Sequence, residues 1–164
     1  MSQENLKNAF AGESQAYMKY VIFAKKAEED GFRNIARLFR AIAFAEQIHA
    51  SNHLQALGLI STTSDNIKNA IEGERYEVEE MYPSYHAVAK LQGEVEVERT
   101  TNWALQAEKI HLTMYQKALK AVEEKKDIEL GNVYICEKCG YTVEGEPPDR
   151  CPICGAPKER FKIF

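Results

Sequence analysis

Through its first 130 residues the chain alternates apolar and polar positions with a helical period. Leu6, Phe10, Glu13, Tyr17, Tyr20 and Ala24 fall on one face of a first segment. Ile35, Leu38, Ile42, Glu46, His49 and His53 do so in a second. Ile67, Ile71, Glu74, Val78, Met81 and Tyr85 follow in a third, with Glu77 beside them, and Val97, Thr101, Ala104, Glu108, His111 and Tyr115 in a fourth. Turn signals separate the stripes: "DGFRN" around Gly31, "LGLISTTSDN" around Gly58 and "LQGEVEVE" around Gly93, with Ser64 the expected N-cap of the third helix. Four amphipathic helices with short connections predict an all-α four-helix bundle. Pro83 lacks a backbone N–H and predicts a kink late in the third helix.

Each core-facing stripe carries a glutamate, and the pattern repeats. Glu46 to Glu108 and His49 to His111 are both 62 residues apart, and each half reads helix–Glu followed by helix–Glu-x-x-His. At i and i+3 the glutamate and histidine project the same way. Two such halves collect four glutamates and two histidines at one level of a core, a cluster that is strongly repulsive unless neutralised. A pair of metal ions supplies the missing charge, and carboxylate with imidazole suits iron or manganese. A single ExxH is weak evidence; two in register with two further inward glutamates are not. His53 has no symmetry mate and His86 follows Pro83, so both are read as packed histidines. Glu77 breaks the symmetry, since Ala16 stands at the matching place in the first helix. That surplus carboxylate predicts ligand exchange, with one iron held by Glu77 when oxidised and by His49 when reduced.

Composition changes near residue 126. All four cysteines and four of the five prolines come later, and residues 131–164 balance five basic against five acidic groups. "EEKKDIELGN" reads as a charged helix end and short linker. The expected domains are therefore 1–130 and 131–164. Cys136 with Cys139 and Cys151 with Cys154 form two C-x-x-C pairs, the spacing of a tetrathiolate site for zinc or iron. Gly140 and Gly155 follow the pairs and permit tight turns that aim backbone N–H groups at the sulfurs. So short a segment needs its metal for stability.

At 164 residues, 45% hydrophobic and 28% charged, the chain has material for a real core and a polar surface. Its net charge of −4 gives no reason to expect nucleic acid, no apolar run is long enough for a membrane span, and no signal peptide is evident. The expected location is the reducing cytoplasm. No GxGxxG motif for a nicotinamide or flavin occurs.

The motifs "AFAGESQAYMKY", "AEQIHA", "GERYEVEEMYP" and "AEKIH", followed by "YICEKCGY" and "CPICGAPKERF", resemble those of the rubrerythrin family along essentially the whole chain. The resemblance implies a ferritin-like four-helix bundle with a small, metal-stabilised, rubredoxin-like β domain. It implies an oxo- or hydroxo-bridged di-iron site and one iron bound by four cysteines. Carried over by motif, Glu13 with Glu77 or His49 serves one iron, Glu74 and His111 the other, and Glu46 and Glu108 bridge. Tyr20 and Tyr82 match tyrosines that hydrogen-bond the carboxylates. The family implies a peroxidase that reduces hydrogen peroxide to water in oxidative-stress defence. Its electrons come through the rubredoxin-like centre from an NAD(P)H-dependent rubredoxin reductase or a separate rubredoxin. A homodimer is implied, with the four-cysteine domain of one subunit serving the other because the linker is short; a domain-swapped dimer hinged at 58–66 is compatible with the sequence. The rival reading is a ferroxidase or iron-handling bundle with a structural zinc ribbon.

Overall fold

The computed structural model describes residues 1–164, in two compact units, 1–61 and 62–164. The first unit is a helical hairpin of α1 (Ser2–Glu29) and α2 (Arg33–Ala56). Its turn is made by Gly31, whose φ of +85° lies in the left-handed region open chiefly to glycine. The seam of the hairpin is built from alanines. Ala36, Ala43 and Ala50, seven residues apart on α2, are buried, as are Ala24 and Ala27 on α1. A heptad of small residues keeps one helix face against its partner and lets the two backbones approach closely. The larger apolar residues of the second stripe, Ile35, Leu38 and Ile42, stay exposed within this unit. The buried contact of the hairpin thus lies not on the expected stripe but on a neighbouring alanine row.

The second unit begins with α3 (Thr63–Tyr76). Thr62, not Ser64, caps it: the Asp65 N–H donates to Thr62 Oγ1 at 3.2 Å, and the Thr62 hydroxyl donates back to the Asp65 carboxylate at 2.8 Å. The reciprocal pair Thr-x-x-Asp satisfies an orphan N–H and fixes the start two residues earlier than Ser64 would. After Tyr76 the helix widens into a π-helical turn, Glu77–Met81, before resuming as α4 (Tyr82–Gln92). The expected disturbance at Pro83 takes this form: the Tyr82 N–H reaches back to the Glu77 carbonyl, and Pro83 sits at the start of α4, where it needs no N–H. Gly93, at φ +70°, ends α4. The antiparallel return is α5 (Val95–Glu123), which packs on α3 and α4. His86 donates from Nδ1 to the Glu98 carbonyl at 3.1 Å, an α4–α5 tie that accounts for it structurally.

The C-terminal part is a three-stranded antiparallel sheet in the order β2–β1–β3, with β1 Val133–Cys136, β2 Thr142–Glu144 and β3 Phe161–Ile163. Ile135 of β1 stands between Thr142 and Lys162. A small core forms from the four cysteines with Ala156, Tyr141, Ile153 and Phe161, the Tyr141 and Phe161 rings meeting edge-on at 6.2 Å. The same-chain linker does reach the helices. The Lys117 ammonium lies 3.2 Å from Glu144 and 3.5 Å from the Glu129 carbonyl, and β2 rests on α5. The expectation that the linker is too short to bring this domain to its own chain's carboxylates is thus corrected, because the domain folds back along α5.

Candidate metal centres

Three clusters of metal-ligating side chains form. In the first unit, ligand atoms of Glu13, Glu46 and His49 lie within 4.8 Å of one another. Glu13 comes from α1; Glu46 and His49 share a face of α2, with His49 Nδ1 3.1 Å from Glu46 Oε2. Hydrogen bonding to Glu46, then burial, raises the Glu13 pKa, while Glu46 is lowered by Glu13 and His49. Their like charges oppose joint ionisation, which a cation between them relieves. Tyr20, seven residues along α1 from Glu13, packs its ring against Phe23 and Phe39, with centroids 6.3 and 6.0 Å away. His53 is outside the cluster.

In the second unit, Glu74 of α3 meets Glu108 and His111 of α5, again within 4.8 Å. His111 Nδ1 is 2.6 Å from Glu108 Oε2 and 3.9 Å from Glu74 Oε2. That Glu74 oxygen is buried and has no hydrogen-bond partner. An orphaned buried carboxylate oxygen costs about 1–3 kcal/mol or more if nothing pairs with it. Burial, then the Glu108 carboxylate, pushes the Glu74 pKa up to about 7. His111 is raised by Glu108, against its own burial. Glu77, at the first position of the π-helical turn, is likewise raised by burial and then by Glu108, but lies outside the three-residue cluster. Tyr82 is raised by burial and then by Glu77, Glu108 and Glu74, so its hydroxyl stays protonated beside the carboxylates.

The third cluster joins the four cysteines. Cys136 Sγ is 3.6 Å from Cys154 Sγ, and Cys139 Sγ is 3.5 Å from Cys151 Sγ. A disulfide requires about 2.05 Å. Four sulfurs placed about 2.3 Å from a central ion lie about 3.8 Å apart, which is close to what is seen. The two knuckles are alike: Gly140 N–H donates to Cys136 O and Gly155 N–H to Cys151 O, both at 2.9 Å, with φ of +81° and +70°. Burial opposes thiolate formation at Cys136, but N–H groups of Lys138 and Cys139 aimed at its sulfur hold its pKa below the usual thiol value. N–H groups of Tyr141 and Ala156 serve Cys139 and Cys154 in the same way, although burial keeps both pKa values raised.

The donor sets therefore fit metals. The unpaired Glu74 oxygen and the closely spaced carboxyl pairs call for cationic charge, and the sulfur edges match a tetrahedral ion. One polar residue bound to this site was not singled out from the sequence. Thr142 of β2 places Oγ1 2.7 Å from His111 Nε2. A threonine after "CGY" carries no ligand signature, so nothing local pointed to it.

Helices bearing carboxylate–histidine triads, joined to a small tetrathiolate sheet domain, define a class of redox metalloprotein. The rubrerythrin family model matches residues 4–119, and that of the "rubrerythrin, rubredoxin-like domain" matches residues 134–162. The chain belongs to the rubrerythrin family, with the ferritin-like four-helix architecture and the small C-terminal β domain. Its cofactors are a non-haem di-iron centre and one iron bound by four cysteines. Rubrerythrin-2 of Clostridium acetobutylicum is 43% identical over 178 residues, covering 100% of this chain and 97% of its own. Nigerythrin of Nitratidesulfovibrio vulgaris is 33% identical, covering 98% and 85%. A solved nigerythrin in its fully reduced, all-ferrous state superposes with a TM-score of 0.58 at 32% identity, over 100% of this chain and 87% of that one. Family membership makes the chain a di-iron oxidoreductase of oxidative-stress defence. No helix is long and apolar enough to cross a membrane.

Proposed function

We propose that this chain is a peroxidase that reduces hydrogen peroxide to water, taking electrons through its four-cysteine iron. The observation that carries this reading is the 2.7 Å bond from His111 to Thr142, which ties the domain of the one-electron carrier to a side chain of a carboxylate triad. An iron-storage module needs no tethered electron feed. In this reading, residues 1–130 are the peroxide-reducing domain and 131–164 the electron-entry domain. Glu13, Glu46, His49, Glu74, Glu77, Glu108 and His111 hold the irons of the bundle, and Cys136, Cys139, Cys151 and Cys154 hold the third. When bound, the di-iron centre supplies two electrons at once, so that the O–O bond is cleaved without release of hydroxyl radical.

The overall change is hydrogen peroxide plus two electrons and two protons to two waters. The chain's own residues set the hydrogen bonds and charge around the site. The Tyr82 hydroxyl, kept protonated by burial and by Glu77, Glu108 and Glu74, offers a hydrogen bond toward oxygen leaving the site. Burial and then the Glu108 charge oppose ionisation of Glu77, and a cation beside it relieves that opposition and favours its ligating carboxylate. His111 keeps one ring nitrogen toward Glu74 and Glu108 and the other on Thr142. The electron donor is an NAD(P)H-dependent rubredoxin reductase or a separate rubredoxin, and the working form is a homodimer in the cytoplasm. The broad apolar faces exposed within each unit, with Phe44 at 62% and Leu38 at 58% in the first, support association with another copy.

The test is optical. Ferric iron on four cysteines is coloured and zinc is not. The oxidised protein should bleach when a rubredoxin reductase and NADH are added, and recolour within seconds on stoichiometric peroxide. A protein that stays bleached under excess peroxide is not this peroxidase.

A further inference from the structure

The stretch from Lys138, inside the first cysteine pair, to Glu144 runs along α5. The Lys138 ammonium stands over the Trp103 ring, 5.4 Å from its centroid. A Cβ built on Gly140 would lie 3.9 Å from the Ala107 Cβ. Thr142 meets His111, and Glu144 meets Lys117. The first three pairs step by four residues on the helix and by two on the segment. Lys138 and Gly140 lie in the cysteine turn, where Gly140 has a φ of +81°, and only Thr142 and Glu144 belong to β2, so it is the turn that lays the start of the strand on α5. This placement puts the Thr142 side chain, 4% exposed, directly on the imidazole.

The hydrogen atoms can be placed from the partners. Thr142 Oγ1 lies 3.0 Å from the Gly140 carbonyl, which can only accept, so the single hydroxyl proton is spent there. The 2.7 Å contact with His111 is then filled by a proton on Nε2. Nδ1 faces Glu108 and Glu74. The chain of donors runs from imidazole to threonine to the carbonyl of the residue after Cys139.

We propose that Thr142 is a positioning residue for His111: its hydroxyl, itself anchored on the four-cysteine knuckle, holds the Nε2–H and so reserves Nδ1 for the metal between Glu74 and Glu108. A ligating histidine whose other nitrogen is held this way loses ring freedom and tautomer choice before the metal arrives. Docking of the electron-entry domain and readiness of the bundle site thus become one event. This deepens the metal-centre reading above and rests on it only for the affinity measurement below.

The experiment uses the full-length chain with zinc in the four-cysteine site, as Thr142→Val, Thr142→Ser and unchanged protein. In ring-¹⁵N-labelled samples the unchanged protein should show a His111 Nε2–H signal protected from solvent exchange. Thr142→Val should lose it, and Thr142→Ser should keep it. Zinc competition for the bundle site should be about 10–100-fold weaker in Thr142→Val, with Thr142→Ser close to unchanged protein. Parallel samples with cobalt in place of zinc at the cysteines, giving identical spectra for all three proteins, verify that the knuckles remain folded. A protected Nε2–H that survives in Thr142→Val overturns the proposal, as does lost protection with unaltered affinity. If the unchanged protein takes up no bundle metal at all, the metal reading fails, while the ring-proton comparison still decides the role of Thr142.

Discussion

Removing the charge of Glu74 should stabilise the metal-free protein and cripple its metal binding. Glu74 is 17% exposed at its side chain, has an oxygen without a partner, and is pushed up to about 7 by burial and by Glu108. The ordinary glutamate value is 4.5. A folded-state pKa above the unfolded one means that Glu74 favours folding fully below about pH 4.5. The contribution is lost as pH rises through about 7, because the folded chain must then ionise a crowded carboxyl. At ~1.4 kcal/mol per unit the ceiling is about 3 kcal/mol. Glu108, lowered by His111 and then by Glu74, loses its own contribution only below about pH 4.5, so the range above pH 5 samples most but not all of the Glu74 ceiling. A net of about 2 kcal/mol is therefore expected between pH 5 and 8. Glutamine mimics the protonated acid and does not titrate. Urea unfolding of chelator-treated protein, followed by helical circular dichroism, should show unchanged protein losing about 2 kcal/mol more than Glu74→Gln across that range. The first unit titrates identically in both proteins and cancels. With ferrous iron or zinc added, the order should invert, since glutamine removes an anionic ligand. Parallel midpoints from about pH 5 to 8 in the metal-free proteins would refute the assignment of strain to this carboxylate.

Cys139→Ser should abolish the visible absorption of the four-cysteine iron and unfold residues 131–164, with the helical signal retained; a red variant would show that three thiolates suffice. Ala43→Leu forces a large side chain into the buried α1–α2 seam and should destabilise by about 1–3 kcal/mol, read as a lower thermal midpoint. Thr62→Ala removes the cap on α3 and should cost about 1 kcal/mol, whereas Ser64→Ala should change little in the same denaturation assay.

The helices and the candidate ligands were legible in the sequence because their signals are local. A glutamate and a histidine three apart on a helix face the same way whatever the helix packs against, and two C-x-x-C pairs close on one ion once each knuckle turns. The glycine-based turns at Gly140 and Gly155, and the backbone N–H groups aimed at the sulfurs, followed from spacing alone. The cap of α3 falls on Thr62 and not Ser64 because "STTS", residues 61–64, is an unbroken run of hydroxyl side chains, each of which reads as a cap. Only the Asp65 side chain, reaching back to Thr62, settles which of them serves. The π-helical turn at Glu77–Met81 was visible only as a warning at Pro83, since the missing N–H says that the ladder must change but not which way it will.

What the sequence by itself determined is the inventory: which side chains bear negative charge inside apolar stripes, and therefore which positions demand a cation. Only the tertiary structure decided which apolar row becomes the α1–α2 seam, and that β2 lies along α5 with Thr142 against His111. Seam choice depends on how closely two backbones approach, and the placing of β2 on α5 depends on where the cysteine turn meets the helix; both are distances between segments far apart in the chain, to which no single stretch of sequence is sensitive.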